Sequence, residues 1–268
     1  MDNRNSSVRF IPLACPNCSG ELMINESQDK AICSYCGKPF LVRDALQEIS
    51  QNVENLISLG ETALETRNNE EAYSYFSQAL EINPEDYRAW VGKAKATGWL
   101  STSDNPRVDE AKIYFNQAFK YCPTQIKDEL SQQLKDELIL LYGILAWMYH
   151  QIFLEMINEI REDINSYNHF QAQLGRDWRI LVDNCKFAFT NIESETKDFR
   201  EINRCEDMLQ KLIGLCDYLI KGVPWQYRLE YEGPVEKWIP TMYLSLNSKD
   251  EAYIRHFRDI VIDTLKVV

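Results

Sequence analysis

Four of the eight cysteines fall between residues 15 and 36, in two pairs of the same spacing: Cys15-x2-Cys18, fourteen residues, then Cys33-x2-Cys36. Two residues between thiols let both sulfurs of one tight turn point at a single ion. Two such turns supply four thiolates, enough to close a tetrahedron. Soft thiolate ligands select Zn²⁺ or iron–sulfur over magnesium or calcium. A redox dithiol would need one Cys-x-x-Cys and a βαβ surround, which the chain lacks here. Zinc is therefore the expected ion. With no coordination position left open, its role is structural rather than catalytic.

The surrounding residues fit such a clasp. Pro16 stiffens the first turn, and Gly20 and Gly37 follow the two pairs where the backbone must curl. Leu22 and Ile24 alternate with polar residues, "KAIC" returns as a second short strand, and "PFLV" is a third. A stretch this short buries too little to fold alone, so metal binding supplies its folding energy. Residues 13–42 resemble a zinc ribbon, which implies structural zinc on Cys15, Cys18, Cys33 and Cys36 and a module that contacts protein or nucleic acid. Residues 1–43 are assigned to it.

From Val53 the apolar period becomes helical. Leu56, Leu59, Gly60 and Ala63 are expected on one face of a first helix, and Ala72, Phe76 and Ala79 on one face of a second that ends at Pro84. Small residues bring the two backbones together, and large ones fill the gap to the next hairpin. This register resembles the tetratricopeptide repeat, a helix–turn–helix unit of about 34 residues. A second copy starts at Tyr87, with Trp90, Ala94, Ala111, Phe115, Ala118 and Pro123 in the same order. Its excess length falls in "STSDNPRVDE", where a longer loop costs little. Residues 44–124 are read as two repeats, 53–86 and 87–123 with an inserted loop. No third copy fits after Ile126, because Glu129, Gln132 and Gln133 stand where small or apolar residues belong.

The resemblance implies a curved groove lined by first helices that receives a peptide or helix of a protein partner, or of a second copy of the chain. Its lining would include Glu54, Ile57, Glu61, Leu64, Arg88, Val91, Lys95 and Trp99. Arrays that clamp a terminal carboxylate use Lys and Asn on this face. Here Ile57, Glu61 and Gly92 take those places, and only Lys95 remains. A bland alternative is that the repeats merely pack on residues 125–268.

Residues 125–268 read as an all-α domain, a bundle or solenoid, so the chain is mainly α with a small β ribbon in front. Apolar stripes run through Ile164, Tyr167, Phe170 and Leu174, then Trp178, Leu181, Val182, Cys185 and Phe189. Further stripes are Ile202, Cys205, Leu209, Leu212, Cys216 and Leu219, and finally Tyr253, Ile254, Phe257, Ile260 and Val261. An aromatic loop is expected at 221–240, which holds three prolines and two glycines. Leu138–Leu154 contains no Asp, Glu, Lys or Arg over 17 residues, the lower limit for a membrane span. A buried central helix that covers the open end of the repeats is preferred to a span.

Charge and motif narrow the function. Net charge is −12, which disfavours a broad nucleic-acid surface. The ribbon itself is nearly balanced, so nucleic acid is a second reading and not the favoured one. "MDNRNSSVRF" has no apolar signal core. A cytoplasmic setting is expected, with Cys122, Cys185, Cys205 and Cys216 as buried thiols. His150, His169 and His256 have no ligand spacing, and neither a G-x-x-x-x-G-K loop nor a G-x-S-x-G elbow occurs. The expectation is a non-catalytic adaptor with one structural zinc. A third possibility is an enzyme with a cryptic site in 125–268.

Overall fold

The structure is a computed structural model that describes residues 10–25, 28–162, 167–196, 205–225 and 242–266. Among these it contains eight α-helices and three two-stranded sheets. The chain is mainly α with its four-cysteine ribbon at the amino end. It divides into two compact units, Met1–Ala96 and Thr97–Val268.

In the first unit, β1 (Phe10–Ala14) pairs antiparallel with β2 (Glu21–Asn25), and β3 (Lys30–Ile32) with β4 (Pro39–Leu41). Three strands were expected; β1 is the extra one. Pro12 interrupts its sequence pattern, as a proline demotes any candidate strand. Alternation turns Leu13, Ile24, Ala31 and Phe40 towards Val42 and Ala45, which close a small core. Those last two residues already belong to α1 (Val42–Glu65). The ribbon boundary expected at 43 thus falls inside a helix. No proline interrupts residues 42–65, so one helix runs from the ribbon core into the repeat core.

α1 ends in a left-handed residue, Arg67, at φ 61°. The Asn68 N–H reaches back to the Ala63 carbonyl and the Arg67 N–H to that of Leu64, a Schellman closure built without glycine. Asn68 then caps α2 (Asn69–Ile82): its Oδ1 accepts from the Glu71 N–H, and its Nδ2 donates to the Glu71 carboxylate at 2.6 Å. The core between α1, α2 and the start of α3 (Tyr87–Trp99) holds Val53, Ile57, Ala63, Ala72, Phe76, Ala79, Leu80 and Ala89.

This core departs from the expected α1 face in two places. Leu59 is 48% exposed and Ile57 only 3%. In a stacked array the side carrying Leu59 is covered by the preceding hairpin, and here a ribbon precedes it. Ile57 is therefore corrected from groove lining to core.

The second unit holds α4 (Val108–Tyr121), α5 (Lys127–Glu162), α6 (Tyr167–Thr196), α7 (Glu206–Lys221) and α8 (Ser248–Lys266). It also holds the hairpin of β5 (Val223–Trp225) and β6 (Met242–Leu244). Contacts fix the helix directions. Tyr142 meets Phe187, and Phe153 meets Trp178, so α6 runs antiparallel to α5. The Cys205 thiol donates to the Asp136 carbonyl, a Cβ on Gly143 would touch Met208, and His150 meets Tyr218. That near-constant offset lays α7 parallel along α5.

Arg179 and Lys186 bind Asp250, and Thr190 meets Tyr253, so α8 runs parallel to α6. Arg258 binds Asp217 of α7, which runs antiparallel to α8. Helices α5 to α8 thus form an up-down-up-down four-helix bundle. Ala111, Phe115 and Ala118, which the sequence assigned to a second repeat, are buried on α4. The Tyr142 hydroxyl donates to Asp109 at 2.7 Å and ties α4 to α5.

The uncharged stretch 138–154 lies within α5, the one described helix long and apolar enough to cross a membrane. Half of its most apolar window is buried inside the protein. Ile164, Ile202 and the side chains of Tyr167, His169 and Phe170 lie outside the described residues. So does the expected aromatic loop, apart from Lys221–Trp225.

Candidate metal centre and repeat surface

The two cysteine turns are built alike. In the first, the Cys15 N–H donates to the Gly20 carbonyl at 2.9 Å and Ser19 N–H to the Cys15 carbonyl at 2.8 Å. In the second, Cys33 N–H donates to Lys38 and Gly37 N–H to Cys33, at 3.1 and 2.9 Å. Backbone N–H groups also face sulfur: Asn17 onto Cys15 at 3.4 Å, Tyr35 and Cys36 onto Cys33 at 3.3 and 3.4 Å. The Cys36 and Tyr35 N–H groups bring the Cys33 thiol down to about 6, which favours the thiolate.

The left-handed residue of each turn is the fourth after its first cysteine: Ser19 at φ 58° and Gly37 at φ 70°. The curl expected at Gly20 is thus made by Ser19. Gly20 serves a different need, because a Cβ there would lie 2.6 Å from the Tyr35 ring, which leans across from the second turn.

These turns gather all four sulfurs within 4.8 Å of one another. Cys15 and Cys36 are 3.8 Å apart, and Cys18 and Cys33 3.7 Å. A tetrahedral site with zinc–sulfur bonds of about 2.3 Å has edges of about 3.8 Å. The donor set and its spacing therefore fit a tetrahedral thiolate metal site, held by residues that sequence spacing had already singled out. Cys15 and Cys33 are buried; Cys18 is exposed. The other four cysteines are buried, and burial pushes the Cys185, Cys205 and Cys216 thiols up, which leaves them inert.

The expected groove residues divide. Glu61 is exposed; Leu64, Val91 and Lys95 are half-buried; Ile57 is core. Arg88 is engaged: its guanidinium forks onto Glu54 at 2.7 and 2.9 Å and also binds Asp86. Glu54 and Arg88 stand 34 residues apart, one repeat length, so the pair is spaced by the repeat itself. Trp99 is 42% exposed and donates to Glu137 of α5 at 3.1 Å. The buried cluster around Asp250, which Lys186, Arg179 and Asn247 all contact, left no periodic trace to find.

Residues 53–86 match the tetratricopeptide repeat family. No curated protein and no solved structure matches the chain.

Proposed function

We propose that this chain, which carries a tetratricopeptide repeat at 53–86 behind a four-cysteine clasp, is a cytoplasmic adaptor that holds a protein partner and catalyses nothing. The observation that carries this reading is the match of 53–86 to a repeat whose general use is protein recognition. The clasp takes one structural Zn²⁺ on Cys15, Cys18, Cys33 and Cys36. The ion orders the ribbon and, through Val42 and Ala45, the start of the helix that enters the repeat.

The partner rests on the open side of the repeat, where Glu61 is exposed and Leu64, Val91 and Lys95 are partly so. Affinity purification of the full chain from its host, with wild type beside Glu61→Lys and Lys95→Glu, tests this. A partner recovered by wild type and lost by both variants is the expected result; equal recovery by all three overturns it.

One observation keeps a second reading in play. Tyr35 is 71% exposed at the metal end of the ribbon, free to stack on a base. Oligonucleotide affinity that falls steeply with salt would support that reading over the first.

A further inference from the structure

The side of α5 that faces α7 carries Gly143, Trp147 and His150, two turns of one face. A Cβ at Gly143 would lie 2.5 Å from the Met208 side chain, so the two helices are in close contact there. Two turns along, His150 is 7% exposed. Its ring meets Tyr218 of α7 edge-on at 4.4 Å between centroids and Trp147 at 5.4 Å. Behind Tyr218 stand Trp178 and then Phe153. Both imidazole nitrogens are buried in this aromatic wall without a hydrogen-bond partner.

A polar ring sealed among apolar ones is costly even when neutral, and an imidazolium would cost far more. From α7 it faces Tyr218, a titratable phenol that is neutral at these pH values and meets the imidazole through its ring edge. On α6, Asp177 precedes Trp178 and keeps one carboxylate oxygen buried and unpartnered, unpaired with the imidazole. Burial holds the imidazole's pKa below its ordinary value, and no neighbouring charge contributes to the shift.

We infer that His150 makes the α5–α7 seam an acid-sensitive latch: protonation of its ring in mildly acidic water favours a state in which α7 has parted from α5 and the aromatic wall is wet. The sign follows from linkage. The opened state takes up a proton near the ordinary pKa of about 6.5, whereas the closed state does so only at lower pH. The latch is therefore fully shut above about pH 6.5 and weakens as pH falls below it. At pH 5.5 an open imidazole of ordinary pKa is about tenfold more protonated than neutral. Opening is favoured by at most that factor, the full value being reached where the closed ring stays neutral.

Amide hydrogen exchange on the full chain, corrected for intrinsic rates, reads this directly. Protection across α7 should fall between pH 7.5 and 5.5, by up to about tenfold, with α2 unchanged as the internal reference. His150→Phe, which keeps an edge-on ring without a titrating group, should abolish the pH dependence. An unaltered dependence in that variant overturns the proposal. Should His150→Phe fail to fold, the ring titration of wild type by NMR decides, with His169→Gln and His256→Gln assigning the other two histidines. A His150 pKa well below 6.5 supports the latch; one at or above 6.5 ends it.

Discussion

The Phe76 ring lies so close to the Gly92 backbone that a methyl group added there would sit 2.2 Å from its Cζ. On its other side, a Cβ on Gly60 would be 2.7 Å away. A single aromatic ring on α2 thus fills the space between the bare backbones of α1 and α3. The ring has nowhere to retreat, being buried on both sides. Gly92→Ala should therefore destabilise the first unit by about 1–3 kcal/mol through overpacking, against about 1 kcal/mol that helix propensity returns. Adding Phe76→Leu should relieve the clash. Urea unfolding of both singles and the double would show a coupling of about 0.5–3 kcal/mol; strict additivity would refute the wedge.

Metal removal should unfold the ribbon and leave most helices in place. Purified protein is expected to carry one zinc per chain by elemental analysis. Chelation, or Cys33→Ser, should raise hydrogen exchange across residues 10–45, since Val42 and Ala45 share the ribbon core. Far-UV circular dichroism should change little. Protection of residues 10–45 that survives complete metal loss would contradict the assignment.

Arg88 joins an exposed carboxylate, Glu54, to a buried one, Asp86, whose side chain is 7% exposed. The two contacts should not weigh equally. Glu54→Ala removes a solvent-screened pair and should cost at most about 1 kcal/mol. Arg88→Ala takes the guanidinium from the buried Asp86 carboxylate, which keeps the backbone N–H of residue 88 but loses its countercharge, and should cost about 1–3 kcal/mol. Denaturant titration of the two variants would separate them, and equal losses would count against this ranking.

Asp250 is 2% exposed. Burial alone would raise its pKa, but Lys186 and Arg179 outweigh it and hold the carboxyl below its ordinary 3.8. Its stabilising effect is thus fully present above about pH 4 and is lost as pH falls below that. Asp250→Ala should cost about 3 kcal/mol, the lower end for a broken buried pair, because Lys186 and Arg179 still reach water. The melting temperature should fall more steeply between pH 5 and 3 in wild type than in Asp250→Asn.

Local spacing carried the candidate metal ligands and the repeat. Four cysteines at fixed intervals pointed to a shared metal site, and the order Ala72, Phe76, Ala79 and Pro84 marked a helical hairpin. Placement against neighbours was another matter. Ile57 and Leu59 are both apolar and two residues apart, and periodicity allowed either to face inward. Only the actual position of α2, and the lack of an earlier hairpin over Leu59, settled which one is core. Ser19 in place of Gly20 at the left-handed turn, and Asp250 between two bases from α6, are likewise invisible to local pattern.

What the amino-acid order indicated alone was local: which cysteines share a tight turn, where helices lie, and which residues are small enough for close approach. Such features depend on contacts a few residues apart, and spacing encodes those. What tertiary structure decided was long-range: the core role of Ile57, the engagement of Arg88, the enclosure of His150 and the pairing of Asp250. Burial and ion pairing are properties of elements packed together, and no single segment specifies its neighbour.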